Sequence, residues 1–116
     1  MKRHFRLTRT ADFQRVRRLG STYAHPLVVL YALKSDQPGV RVGVTAGLAV
    51  GNAVRRNRAK RLLRAGILPL LPGLAPGCDL MLIARAPLAH ASQPEARQAL
   101  SSLLKRAGLL SSTYDG

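Results

Sequence analysis

A chain of 116 residues with 47% hydrophobic side chains can bury a core, which excludes a disordered basic tail. The formal net charge is +14, and no acidic residue lies between Asp36 and Asp79, so the natural partner is a polyanion. The lone Cys78 allows no internal disulfide, no apolar run reaches the ~18 residues of a membrane span, and the basic start leads into no signal-like apolar segment.

Length predicts a single domain over residues 1–116, and the cysteine and hydropathy patterns fit a soluble cytoplasmic protein. Cys78 opens an apolar run, which marks it as a small buried residue rather than a nucleophile. Arginine outnumbers lysine fifteen to four. Its planar fork bonds two phosphate oxygens at once, so the bias favours phosphate as the ligand.

Residues 1–8 form a basic lead-in. Thr8 or Thr10 caps a helix running to about Leu19, with Gly20 as its stop. Phe13, Val16 and Leu19 recur at i, i+3 and should pack on the body, while Arg15, Arg17 and Arg18 project elsewhere. Residues 21–26 make a connection or a short edge strand. Residues 27–33 are β-branched and nearly all apolar, and predict a strand. A turn cluster at 35–39 follows, and then 40–45 alternates, with Val40, Val42 and Val44 on one face and Arg41 and Gly43 on the other. The two strands predict an antiparallel hairpin. Residues 46–50 extend its second strand or form a short third one.

The densest charge comes next. Of the fourteen residues from Gly51 to Arg64, six are basic and none is acidic. The stretch predicts a helix, with Asn52 as N-cap and Gly66 as stop. At about 100° per residue, Arg56, Asn57, Lys60, Arg61 and Arg64 share one arc. Val54, Ala59, Leu62, Leu63 and Ala65 fall opposite, and Arg55 and Arg58 fit neither arc well. A merely solvated face would mix signs for i, i+4 pairing, and this one has no acid to pair.

Three prolines and two glycines make residues 67–77 a loop, draped on the core by five Leu and Ile side chains. Residues 79–85 are apolar on both faces, as a central strand would be, and Pro87 ends them. Ser92 or Gln93 caps a last helix, with Pro94 and Glu95 in its first turn. Ala96, Ala99, Leu100, Leu103, Leu104 and Ala107 form its buried stripe, Gly108 stops it, and 111–116 are a polar tail. The order predicts an α+β sandwich, with helices against a small mixed sheet.

Enzyme constellations are absent from this pattern. Asp12, Asp36, Asp79, Glu95 and Asp115 are scattered one per element or turn. His4, His25 and His90 are far apart, without zinc spacing, and read as turn or surface residues. Gly43, Gly47 and Gly51 do not complete a P-loop. What remains is a nucleic-acid surface of basic helices and an Arg-bearing sheet face. Phe13, Tyr23 and Tyr31 are possible stacking platforms. Phe13 leans towards a core role, Tyr31 is evenly balanced and Tyr23 is undetermined.

The segment Val50-Gly51-Asn52-Ala53-Val54-Arg55-Arg56-Asn57-Arg58-Ala59-Lys60-Arg61-Leu62-Leu63-Arg64 closely resembles the signature of the bacterial ribonuclease P protein subunit, centred on Arg56-Asn57-Arg58. Asp12-Phe13-Gln14-Arg15-Val16 with Gly20, Arg41-Val42-Gly43-Val44 and the 79–85 strand resemble that family's neighbouring elements. The resemblance implies an α-β-β-β-α-β-α fold with a left-handed β-α-β crossover, against the usual hand. It also implies a large catalytic RNA as partner, and Mg²⁺-dependent removal of the 5′ leader of precursor tRNA. The Mg²⁺ would be held mainly by the RNA, which accounts for the missing carboxylate pair, and no protein partner or membrane is implied. Asn52, Arg56, Asn57, Arg58, Lys60, Arg61 and Arg64 would face the catalytic RNA. Phe13, Arg17, Tyr31 and Arg41 would face the single-stranded leader.

Two departures stand out. Leu48-Ala49 occupies the place of a common lysine pair, and Arg17 that of a frequent aromatic. On composition alone a small ribosomal protein fits equally well. A factor acting on anionic membranes fits less well, given the strand runs and the dispersed charge.

Overall fold

A strand that is apolar on both faces belongs inside a sheet, and residues 78–84 take that position. The computed structural model describes Leu7 and residues 10–113. The lead-in at 1–6, the alternative cap Thr8 and the tail at 114–116 lie outside the described residues. The elements are α1 (Thr10–Leu19), β1 (Ser21–Ala24), β2 (Val28–Lys34), β3 (Val40–Ala46), α2 (Ala53–Ile67), β4 (Cys78–Ala84) and α3 (Gln93–Arg106). This is the mixed α+β order expected. The stretch 21–26 resolves into the edge strand β1, whereas of 46–50 only Ala46 extends β3 and Leu48–Val50 becomes a 3-10 turn.

The sheet order is β1-β2-β4-β3. The predicted β2–β3 hairpin is therefore wrong. β4 lies between them, antiparallel to β2 and parallel to β3. Turn chemistry at 35–39 specifies a chain reversal but no pairing partner. Here the turn is bonded to the entry of β4 instead: Ser35 N–H donates to the Gly77 carbonyl at 2.8 Å, and Gly77 N–H to the Gly39 carbonyl at 3.2 Å. Inserting the doubly apolar β4 buries both its faces, which an edge position would not.

One sheet face carries Val28, Leu30, Val42, Leu80 and Leu82 into the main core beneath α2 and α3. The other carries Tyr31, Leu33, Met81 and Ile83 into a smaller cluster with Leu7 and Val16. Val16 is fully buried and Phe13 packs on the cluster, but Leu19, assigned to the same stripe, is 60% exposed. It reaches past the cluster into a shallow groove shared with Lys34 and Leu109.

α2 begins as its sequence dictates, with Asn52 Oδ1 accepting the Arg55 N–H at 3.0 Å. Its buried stripe is Ala59, Leu62, Leu63, Gly66 and Ile67, a helical repeat that starts only at Ala59. Val54 and Ala65, expected on that stripe, are exposed: Val54 precedes the packed portion and Ala65 lies off the repeat. Gly66 does not stop the helix. A Cβ there would stand 3.0 Å from Leu100 Cδ1, so Gly66 lets α3 approach closely. The expected loop at 67–77 is instead largely a 3-10 turn at Leu68–Gly73, with Leu70 and Leu74 buried. Prolines that break an α-helix are tolerated in such a short turn.

α3 starts with a capping box: Ser92 Oγ accepts the Glu95 N–H and Glu95 Oε1 accepts the Ser92 N–H. These bonds hold the Glu95 carboxyl below its usual range. Cys78 is buried as expected, and burial pushes its thiol up to about 11.

Candidate nucleic-acid interface

α2 lies over the core on its apolar stripe and turns its charged side outward. Asn52, Asn57 and Arg61 are exposed, and Arg56, Lys60 and Arg64 are partly exposed. Asn52, Asn57, Lys60, Arg61 and Arg64 arrive together on the free side of one helix, where their donors suit phosphate oxygens, while Arg56 stands at its margin with Nε buried. Arg58 behaves differently. Its guanidinium donates to the Ala89 carbonyl at 2.6 Å and the Ala91 carbonyl at 2.9 Å. Both acceptors lie at the end of the 3-10 turn Ala86–His90 that follows β4. Its awkward place between the two arcs is thus explained: it faces the protein's own backbone. Leu48 and Val54, 82% and 74% exposed, flank the start of the basic face.

The second surface is the sheet face beneath α1. β-Strand register sets it out in rows: Leu33, Asp79 and Arg41 in one, then Tyr31, Met81 and Gly43. α1 crosses these rows. The Phe13 ring lies on Gly43, so close that an added Cβ would fall 2.3 Å from Phe13 Cε1. Arg17 Cζ sits 5.8 Å from the centre of the Tyr31 ring, a cation–π stack. Phe13, Arg17, Tyr31 and Arg41, far apart in sequence, therefore converge on one side of the sheet. Tyr23 does not join them, since it packs against the main core on the opposite face.

Asp79 organises one end of this surface. It is the one charged residue in the core among the described residues, fully buried at the head of β4. Arg41 grips it with two bonds, Nε to Oδ1 at 2.9 Å and Nη2 to Oδ2 at 2.8 Å. Arg15 Nη2 donates to the same Oδ2 at 2.9 Å. Arg15 was expected to project away from the body; a buried carboxylate draws it in. Asp12 stands further off, 3.6 Å from Arg15 and 3.8 Å from Arg41. The bonds to Asp79 hold the Arg41 guanidinium more firmly charged than usual, outweighing its partial burial. Sequence reasoning placed Gly43 beside Arg41 on this face but missed Arg15 and Asp79 as parts of it. The one visible signal was a lone acid heading an otherwise apolar strand.

Folding brings Asp12 and Asp79 near each other, but their carboxylates face arginines and make no Mg²⁺ cradle. Among the described residues no group of three or more His, Cys, Asp or Glu side chains is placed to hold a metal ion. No helix among them is long and apolar enough to cross a membrane.

The family model for ribonuclease P matches residues 1–108. A ribonuclease P protein component from Exiguobacterium sp. is 42% identical over 107 residues, covering 92% of this chain and 93% of its own length. One from Oceanobacillus iheyensis is 39% identical over 114 residues, covering 97% and 94%. The solved ribonuclease P protein of Staphylococcus aureus superposes with a TM-score of 0.82 at 28% identity, over 91% of this chain and 97% of that one. That of Thermotoga maritima superposes with a TM-score of 0.78 at 27% identity, over 87% and 96%. Fold, motif and likeness agree along nearly the whole chain, which belongs to the bacterial ribonuclease P protein family, the protein subunit of the ribonucleoprotein endoribonuclease that matures tRNA 5′ ends.

Proposed function

We propose that this chain acts as a single RNA-binding domain with two working surfaces, one for the catalytic RNA and one for the 5′ leader of precursor tRNA. The observation that carries this reading is the separation of the surfaces. The basic side of α2 faces away from the core, while Phe13, Arg17, Tyr31 and Arg41 meet on the sheet face under α1. Asn52, Arg56, Asn57, Lys60, Arg61 and Arg64 hold the catalytic RNA through its phosphates. Arg58 serves that surface by fixing the helix to the turn after β4. The leader lies across the sheet face, where rings and guanidinium planes stack on unpaired bases. Mg²⁺ belongs to the RNA, and the carboxylates nearest this surface, Asp12 and Asp79, face arginines. The assembly works in the cytoplasm, in keeping with a buried, unpaired Cys78.

Reconstitution tests this directly. The purified protein added to bacterial ribonuclease P RNA should increase leader cleavage at low Mg²⁺ and tighten precursor binding more than mature tRNA binding. The protein alone should cleave nothing. Unchanged cleavage at low Mg²⁺ would overturn the proposal, and equal binding of RNAs with and without an unpaired 5′ extension would favour a general RNA-binding module.

A further inference from the structure

We propose that Asp79 is a positioning residue of the leader surface, holding Arg15 and Arg41 as a paired donor set for one leader phosphate. This rests on the leader reading above. Burying a carboxylate is costly unless its oxygens are filled. Here both are: Arg41 takes Oδ1 and Oδ2, and Arg15 takes Oδ2 as well. The two arginines come from different elements, α1 and β3, and meet on the same carboxylate.

Neither cation is used up by it. The side chains of Arg15 and Arg41 remain 40% and 26% exposed. Arg41 Nη1 has Asp12 as its ion-pair neighbour only at 3.8 Å, beyond hydrogen-bond length. Arg15 spends only Nη2 on Asp79, and its Nε is buried, so its exposed end is what a ligand could reach. Two guanidinium groups thus converge on one bonded anion with donors left over, and an oxyanion is the ligand that completes such a set. The adjacent row holds Tyr31 and Gly43, with Phe13 on Gly43, so a phosphate at this point would be continuous with the stacking surface. Because Asp79 fixes both forks in advance, little side-chain freedom is lost on binding.

The test uses the reconstituted ribonucleoprotein and precursor tRNAs carrying a neutral methylphosphonate at each leader position in turn, with leaderless tRNA as reference. In the wild type one position should weaken binding by about tenfold, as expected for a lost charge-assisted bond. Arg15→Ala and Arg41→Ala should each bind the unmodified precursor about tenfold more weakly and become insensitive at that same position. Asp79→Asn should do likewise, with leaderless tRNA bound as before. A merely structural tie would weaken all positions alike and leave the wild-type profile in place, which would overturn the inference. Should Asp79→Asn fail to fold, Arg15→Ala decides alone, since that side chain is partly exposed, and Arg15→Lys should restore part of the lost sensitivity. If the wild type bound precursor and leaderless tRNA equally, the leader reading itself would fall. If it distinguishes them but both arginine variants keep the full profile, only this inference fails.

Discussion

The floor beneath the Phe13 ring has no room for a methyl group. A Cβ on Gly43 would meet Phe13 Cε1 at 2.3 Å and two further ring atoms at 3.2 Å. Gly43→Ala should therefore tilt the ring and lift α1, at a cost of about 1–3 kcal/mol of stability. Thermal unfolding would measure that cost, and leader-dependent precursor binding should drop while affinity for the catalytic RNA holds. The residues at this spot differ in how far they show in the sequence. Phe13 and Gly43 stand in recognisable local patterns, but their contact spans the sheet. Asp79 was visible as an acid in an apolar strand, yet its partners lie 38 and 64 residues away, beyond any local period. Folding joins Asp12 and Asp79, which looked merely scattered, through arginines.

α2 is where local information sufficed for the cap and the charged arc. Capping is a contact between Asn52 and Arg55, three residues apart, and helical periodicity needs only the chain itself. The helix stop failed because Gly66 answers to α3, and Val54 failed because its turn overhangs the core. Arg58 divides the triplet into two kinds of residue. Replacing Arg61, Lys60 or Arg64 with alanine should lower the slope of log affinity against log salt by about 0.7–0.9 each, one phosphate apiece. Arg58→Ala should instead leave the slope unchanged while lowering affinity and thermal stability by about 1–3 kcal/mol, since it strands two carbonyls. Titrations with catalytic RNA at several salt concentrations separate the two outcomes. An Arg58→Ala slope reduced like the others, with stability intact, would return Arg58 to the phosphate-binding set.

The molecule as a whole is closed by one late strand. β2 and β3 are each bonded to β4 and not to each other, and the turn joining them is tied to Gly77. The fold class followed from the order of elements, but this arrangement did not, because a hairpin and an inserted strand present the same local pattern. The insertion also sets an order of assembly. Until residues 78–84 have left the ribosome, β2 has no neighbour but β1, and β3 has none. Asp79 is then missing for Arg15 and Arg41, and the carbonyls of Ala89 and Ala91 are missing for Arg58. A fragment ending at residue 77 should lack cooperative unfolding by circular dichroism and protected amides in β2 and β3, although it contains every basic residue of α2. During synthesis both proposed RNA surfaces would mature together, in the last third of translation, from a nascent chain that until then carries charge without shape.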